Sequence, residues 1–137
     1  MGYVLDCSVV LTWLLPDERA DTTDALADAL KQTSAVVPAI WPYEVANALL
    51  VAQRRARINE ADLTRIRRAL TALPIEVEAV ASEQVLTAVS ALARHLGLTI
   101  YDAAYVELAA RRRLPLATLD AQLRKACAAL NVAVLPN

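Results

Sequence analysis

Apolar positions along this chain follow two alternating rhythms. Short β-prone runs recur at "YVL" (residues 3–5), "AVVP" (35–38), "IEVEAV" (75–80), "LPLATLD" (114–120) and "VAVL" (132–135). Between them, apolar residues return every three or four positions, the spacing of one helix face. In "DTTDALADALKQT", for example, Leu26, Ala29 and Leu30 lie opposite Asp24, Asp28 and Lys31. The same period runs through "SVVLTWLLPDE", "IWPYEVANALLVAQRRARI", "NEADLTRIRRALTAL", "SEQVLTAVSALARHLG", "DAAYVELAARRR" and "AQLRKACAALN". Punctuation agrees with these limits. Asp21, Asn59, Ser82, Asp102 and Asp120 are expected N-caps, because a short polar side chain can accept from the free amides of a first turn. Pro42 suits a first turn, Pro74 stops a helix, and Gly97 stands just past another. Strands alternating with helices predict an α/β domain, a three-layer arrangement with a short, mainly parallel sheet between helices. One domain is expected over residues 1–137, without repeat or linker.

Composition narrows the class. At 57% apolar and 21% charged residues the chain can bury a core, which excludes disorder. Two glycines are too few for a turn-rich all-β protein. No apolar run reaches the ~20 residues of a membrane span, and no signal-like leader precedes the first strand, so a cytoplasmic protein is expected. Two cysteines, Cys7 and Cys127, make neither a disulfide framework nor a metal-spaced set, and are expected as small buried hydrophobes. A net charge of −1 gives no general attraction to nucleic acid. Arginine is nevertheless clustered at 54, 55 and 57, at 65, 67 and 68, and at 111–113. Phosphate contacts and ordinary solvated helix faces both account for that pattern.

Four acids stand where the chain changes element. Asp6 closes the first strand, Glu44 lies in the first turns of a helix, Asp102 opens a helix, and Asp120 joins a strand to a helix. Ligands of open parallel sheets bind beyond the carboxyl ends of the strands, where Asp6 and Asp120 point. Glu44 and Asp102 reach the same crevice if their helices begin on that edge. The plainer readings stay open: capping explains Asp102 and Asp120, and the helix dipole explains Glu44. Asp6 is hardest to dismiss, since Asp is disfavoured in a strand and an unpaired buried carboxylate is costly. Converging carboxylates require a cation or protons, and an all-oxygen set suits Mg²⁺ or Mn²⁺ rather than Zn²⁺. Ser8 and Thr118, two residues from Asp6 and Asp120, are candidate accessory hydroxyls. Asn47, a helical turn beyond Glu44, is a candidate polar partner. Tyr101 and Tyr105 are candidates for base stacking or for the core. His95, the one histidine, sits late in a helix and gives little support to histidine-based catalysis.

The segments "VLDCSVVLTWLLPDE", "PAIWPYEVANALL", "LTIYDAAYVELA" and "LPLATLDAQLRKA" resemble, in order, the signature segments of PIN-domain ribonucleases. The resemblance is strongest to the VapC-type toxins of VapBC toxin–antitoxin pairs. It implies a Mg²⁺- or Mn²⁺-dependent endoribonuclease of α/β/α fold, usually a homodimer, neutralised by a VapB-type antitoxin whose tail lies in the active-site groove. The family's acidic site maps onto Asp6, Glu44, Asp102 and Asp120, with metal held by Asp6, Asp102 and Asp120. Its accessory residues map onto Ser8, Asn47 and Thr118. Cys7 departs mildly from the pattern and, in a strand, would face away from Asp6. Two alternatives remain: a PIN-like binding module without catalysis, and a phosphatase forming an aspartyl-phosphate at Asp6. The phosphatase lacks a second Asp at Ser8 and has only Lys125 as a late lysine.

Overall fold

In chain order the elements are β1 (Tyr3–Leu5), α1 (Cys7–Leu14), α2 (Asp21–Ala29), β2 (Ala35–Pro38), α3 (Trp41–Arg54), α4 (Glu60–Ala72) and β3 (Ile75–Glu78). A helix over residues 82–96 follows, α5, whose middle turns, Val85–Val89, are π-helical. Then come α6 (Ile100–Arg112), β4 (Leu116–Ala117), α7 (Ala121–Ala129) and β5 (Val134–Leu135). The computed structural model describes residues 2–137. The strands form one sheet in the order β3-β2-β1-β4-β5, with every pairing parallel. All five expected strands are therefore present, and the α/β expectation is met.

β1 is central and buried along its whole length, as its unbroken apolar run requires of a strand covered on both faces. Val9 and Val10 of α1, and Tyr105, Val106, Leu108 and Ala109 of α6, close over it. Ala103 and Ala109, both fully buried, have side chains small enough for α6 to approach closely. The chain leaves β1 toward β2 and β3 on one side and later returns to β4 on the other. That reversal opens a crevice beyond the carboxyl ends of β1 and β4.

Caps fall partly as expected. Asn59 accepts from Asp62 N at 2.8 Å while Asp62 Oδ2 accepts from Asn59 N at 3.0 Å, a reciprocal capping box. Gly97 takes the left-handed conformation (φ 67°) that ends α5. Two expected caps move. Ala20 and Ala81 precede α2 and α5, so Asp21 and Ser82 lie in first turns and make no capping bond. There Asp21 still complements the positive end of the helix dipole.

Much of the clustered arginine is held by acids of this chain. Arg111 pairs with Glu78 and Glu107 at 2.6 and 2.8 Å, and Arg112 with Glu76 and Glu78 at 3.2 and 2.7 Å. The bonds to Glu76 and Glu78 tie the end of α6 to the edge strand β3, while that to Glu107 stays within α6. Arg57 bridges Asp17 and Glu18, each at 2.9 Å. Among the described residues no helix is long and apolar enough to cross a membrane.

Candidate active site

Asp6 follows β1 directly and occupies the N-cap position of α1, yet its side chain does not cap that helix. Two hydroxyls converge on one of its oxygens instead. Ser8 Oγ and Thr118 Oγ1 each donate to Asp6 Oδ2 at 2.7 Å. Backbone amides orient both hydroxyls: Ser8 Oγ accepts from Leu119 N and Thr118 Oγ1 from Asp120 N, each at 3.0 Å. Asp6 Oδ1 takes no part in this network. Asp6 is only 7% exposed, and among the described residues no arginine or lysine forms a salt bridge with it. A buried acid that needs two hydroxyl donors on one oxygen is held for its orientation.

The two accessory hydroxyls reach Asp6 from two different elements. Ser8 lies in the first turn of α1, not in a strand, and bends back to the residue before the helix. Thr118 reaches across from the end of β4 to Asp6, while Asp120 meets it only through a backbone amide. Cys7, too, opens α1 rather than extending β1, so the strand alternation behind its expected direction does not apply. Burial, reinforced by Asp6, Glu44 and Glu18, pushes its thiol up to about 12, which keeps it protonated and unreactive.

Asp102 is not the cap of α6. Thr99 holds that position and its Oγ1 accepts from Asp102 N at 3.1 Å. The signal was present as "TIYD", a Thr with an acid three residues on, the spacing of a capping box. The Asp102 carboxylate is thereby released from capping. Burial raises its pKa, the fields of Asp120 and Asp6 raise it further, and the Thr99 side chain, as a hydrogen-bond donor to the carboxylate, opposes them. Asp120 does cap α7, its Oδ1 accepting from Leu123 N at 3.0 Å.

Glu44 lies in the first turn of α3, half-buried. The Tyr105 hydroxyl donates to its Oε1. Tyr105 is fully buried, so its phenol needs this acceptor, and the bond leaves Oε2 uncommitted. Burial raises the pKa of Glu44, Asp6 and Asp102 add to the rise, and the Tyr105 bond opposes it. The bond was missed in the sequence, although Tyr105 lies three residues after Asp102 and shares its helix face. Tyr101 parts company with Tyr105: it is 60% exposed, against the expectation of a core aromatic. Asn47 is exposed and enters none of these hydrogen bonds. Lys125 is exposed inside α7 and takes no part in the hydroxyl network around Asp6 that an aspartyl-phosphate would need it to join.

The four acids thus share one electrostatic neighbourhood. Glu44 feels Asp6 and Asp102, and Asp102 feels Asp6 and Asp120. Among the described residues no three His, Cys, Asp or Glu side chains stand close enough to share one metal ion. A divalent ion held by one or two of these carboxylates would complete its shell with water. That fits Mg²⁺, which keeps several waters and binds through one or two carboxylates. The all-oxygen donors and the uncompensated negative charge fit it equally.

Comparison with known proteins gives a consistent picture. The PIN domain model matches residues 3–129. The chain is 32% identical over 130 residues to Ribonuclease VapC3 of Pyrobaculum aerophilum, across 95% of this chain and 98% of that one. It superposes on the crystal structure of PAE2754 from Pyrobaculum aerophilum with a TM-score of 0.68 at 24% identity, covering 98% of this chain and 83% of that one. It superposes on FitAcB from Neisseria gonorrhoeae with a TM-score of 0.67 at 19% identity, covering 98% and 96%. At those identities the two structures speak for the fold alone.

Proposed function

The chain belongs to the PIN domain family, and from that premise we propose that it is a Mg²⁺- or Mn²⁺-dependent endoribonuclease, the toxin of a type II toxin–antitoxin pair. It acts in the cytoplasm on RNA as a homodimer and is restrained by a VapB-type antitoxin. One observation supports this most: the four carboxylates are linked through one another's fields beside the switch point of the sheet, and Asp6 is held by two hydroxyls. A merely structural acid would be paired with a cation or exposed.

Asp6, Asp102 and Asp120 would hold the ion, directly or through water, and Glu44 would complete the site. A bound divalent ion supplies an activated water near neutral pH and offsets charge on the scissile phosphate. The chain's own groups do the positioning. Ser8 and Thr118 fix Oδ2 of Asp6, so that Oδ1 has one direction to offer. Tyr105 fixes Oε1 of Glu44 in the same manner, leaving Oε2 to orient a water. Asp120 caps α7 with Oδ1, and its other oxygen remains for the site. Negative charge at this centre repels RNA until an ion neutralises it, so substrate and ion are expected to bind together.

Incubation with a mixed RNA pool tests the reading. Fragments are expected with Mn²⁺, none with excess EDTA, and fragments again once Mn²⁺ exceeds the chelator. Cleavage that persists in EDTA would refute it.

A further inference from the structure

Arg124 stands one helical turn after Asp120, the spacing at which an acid and a base on a helix usually pair. It pairs with no carboxylate of the described residues. Its guanidinium is spent on backbone carbonyls: Nη1 donates to Thr118 O at 2.8 Å and, at a longer 3.4 Å, to Leu135 O, while Nη2 donates to Pro136 O at 2.7 Å. One half-buried side chain on α7 thus ties the end of β4 to the segment leaving β5.

The residue it grips is the one that orients Asp6. Thr118 N donates to Leu135 O at 2.9 Å, Thr118 O accepts from Arg124, and Thr118 Oγ1 donates to Asp6 Oδ2. With both main-chain polar groups engaged, the hydroxyl of Thr118 has a fixed origin. Its bond from Asp120 N places the second acid from the same point. The carbonyls also draw the positive charge of Arg124 away from Asp120, whose uncapped oxygen then stays free of an internal counter-ion.

We propose that Arg124 is a positioning residue for the acidic site, acting through Thr118 to hold Asp6 and Asp120 in register and through its carbonyl contacts to leave Asp120 unpaired. This rests on the nuclease reading above. It also makes the segment around β5, distant from the acids in sequence, part of the machinery that sets them.

A planar fork serves three carbonyls at once, whereas a lysine ammonium is a single point that cannot span them. Partners that orient ligand side chains typically matter by about 10–100-fold in affinity or activity. In Arg124→Lys, Mn²⁺ affinity measured by calorimetry and RNA cleavage are therefore both expected to fall about tenfold or more, with the circular dichroism spectrum retained. Thr118→Val, which removes only the hydroxyl, is expected to fall similarly. The double variant is expected to be little worse than either single one, because the two act in series.

A wild-type protein that binds Mn²⁺ and cleaves RNA, beside an Arg124→Lys variant within twofold of it in both, would overturn the inference and leave the nuclease reading intact. So would additive losses in the double variant, or a melting point that drops while Mn²⁺ affinity holds. A folded wild type that neither binds Mn²⁺ nor cleaves RNA would overturn the nuclease reading and, with it, this inference.

Discussion

Asp6→Asn is expected to lower ion-dependent RNA cleavage by roughly 10³-fold, the equivalent of several kcal/mol of transition-state stabilisation supplied by a correctly held ion. The fold should survive. The Asn carbonyl oxygen can accept the hydroxyls of Ser8 and Thr118 much as Oδ2 does now. The substitution also removes a charge that is almost wholly buried beside Glu44 and Asp102. Relief of that repulsion should leave the melting temperature of the ion-free protein unchanged or slightly higher. Cleavage kinetics beside a thermal melt check both halves. Equal loss of activity and folding would show that Asp6 serves the fold rather than the reaction.

The second large effect is on stability. Glu44 and Asp102 both have raised pKa values in the fold, chiefly through burial and then through neighbouring acids. For a carboxylate, a raised folded value means that the folded protein holds its proton more tightly than the unfolded chain. The contribution of these two groups is then fully present below the ordinary carboxylate range. It is lost as pH rises through their raised values. Near neutrality the ion-free site therefore opposes folding, and a divalent ion should reverse that. At 100 times its dissociation constant an ion that binds only the folded state adds about 2.7 kcal/mol. Melting at neutral pH is thus expected to rise by several degrees with Mn²⁺, and the rise should shrink on acidification as Glu44 and Asp102 take up protons. Glu44→Gln should flatten the pH dependence of the ion-free protein. An Mn²⁺ effect that is independent of pH, or present to the same degree in Glu44→Gln, would go against coupled carboxylates at this site.

The architecture was readable because strand and helix periods differ so plainly in this chain. "YVL" has no polar position on either face, and only a central strand can use that. The positions of Asp6 and Asp120 were readable too, since both follow strands by one to three residues. What the sequence concealed were relations between side chains distant along it. Thr118 and Asp6 are brought together by β1–β4 pairing, Tyr105 and Glu44 by the approach of α6 to α3, and Arg124 and Pro136 by a fold back from β5. Local rules also erred where two neighbours competed for one role. Asp102 looked like a cap because it begins an apolar helix, yet Thr99 caps better placed and frees the acid for the crevice. The arginine clusters show the opposite limit. Their phosphate-binding potential was evident, but two of the partners that hold Arg111 and Arg112, Glu76 and Glu78, belong to β3, while Glu107 pairs with Arg111 within α6.

Asp102→Ala, assayed on the mixed RNA pool beside the wild type in Mn²⁺, tests the central claim most directly. Asp102 does not cap its helix and, among the described residues, forms no salt bridge, so the variant should fold and its loss should fall on the chemistry. The account predicts fragments from the wild type and intact RNA from Asp102→Ala at equal protein and ion concentrations. Cleavage by the variant at the wild-type rate would contradict it and place the nuclease, if there is one, outside these four acids.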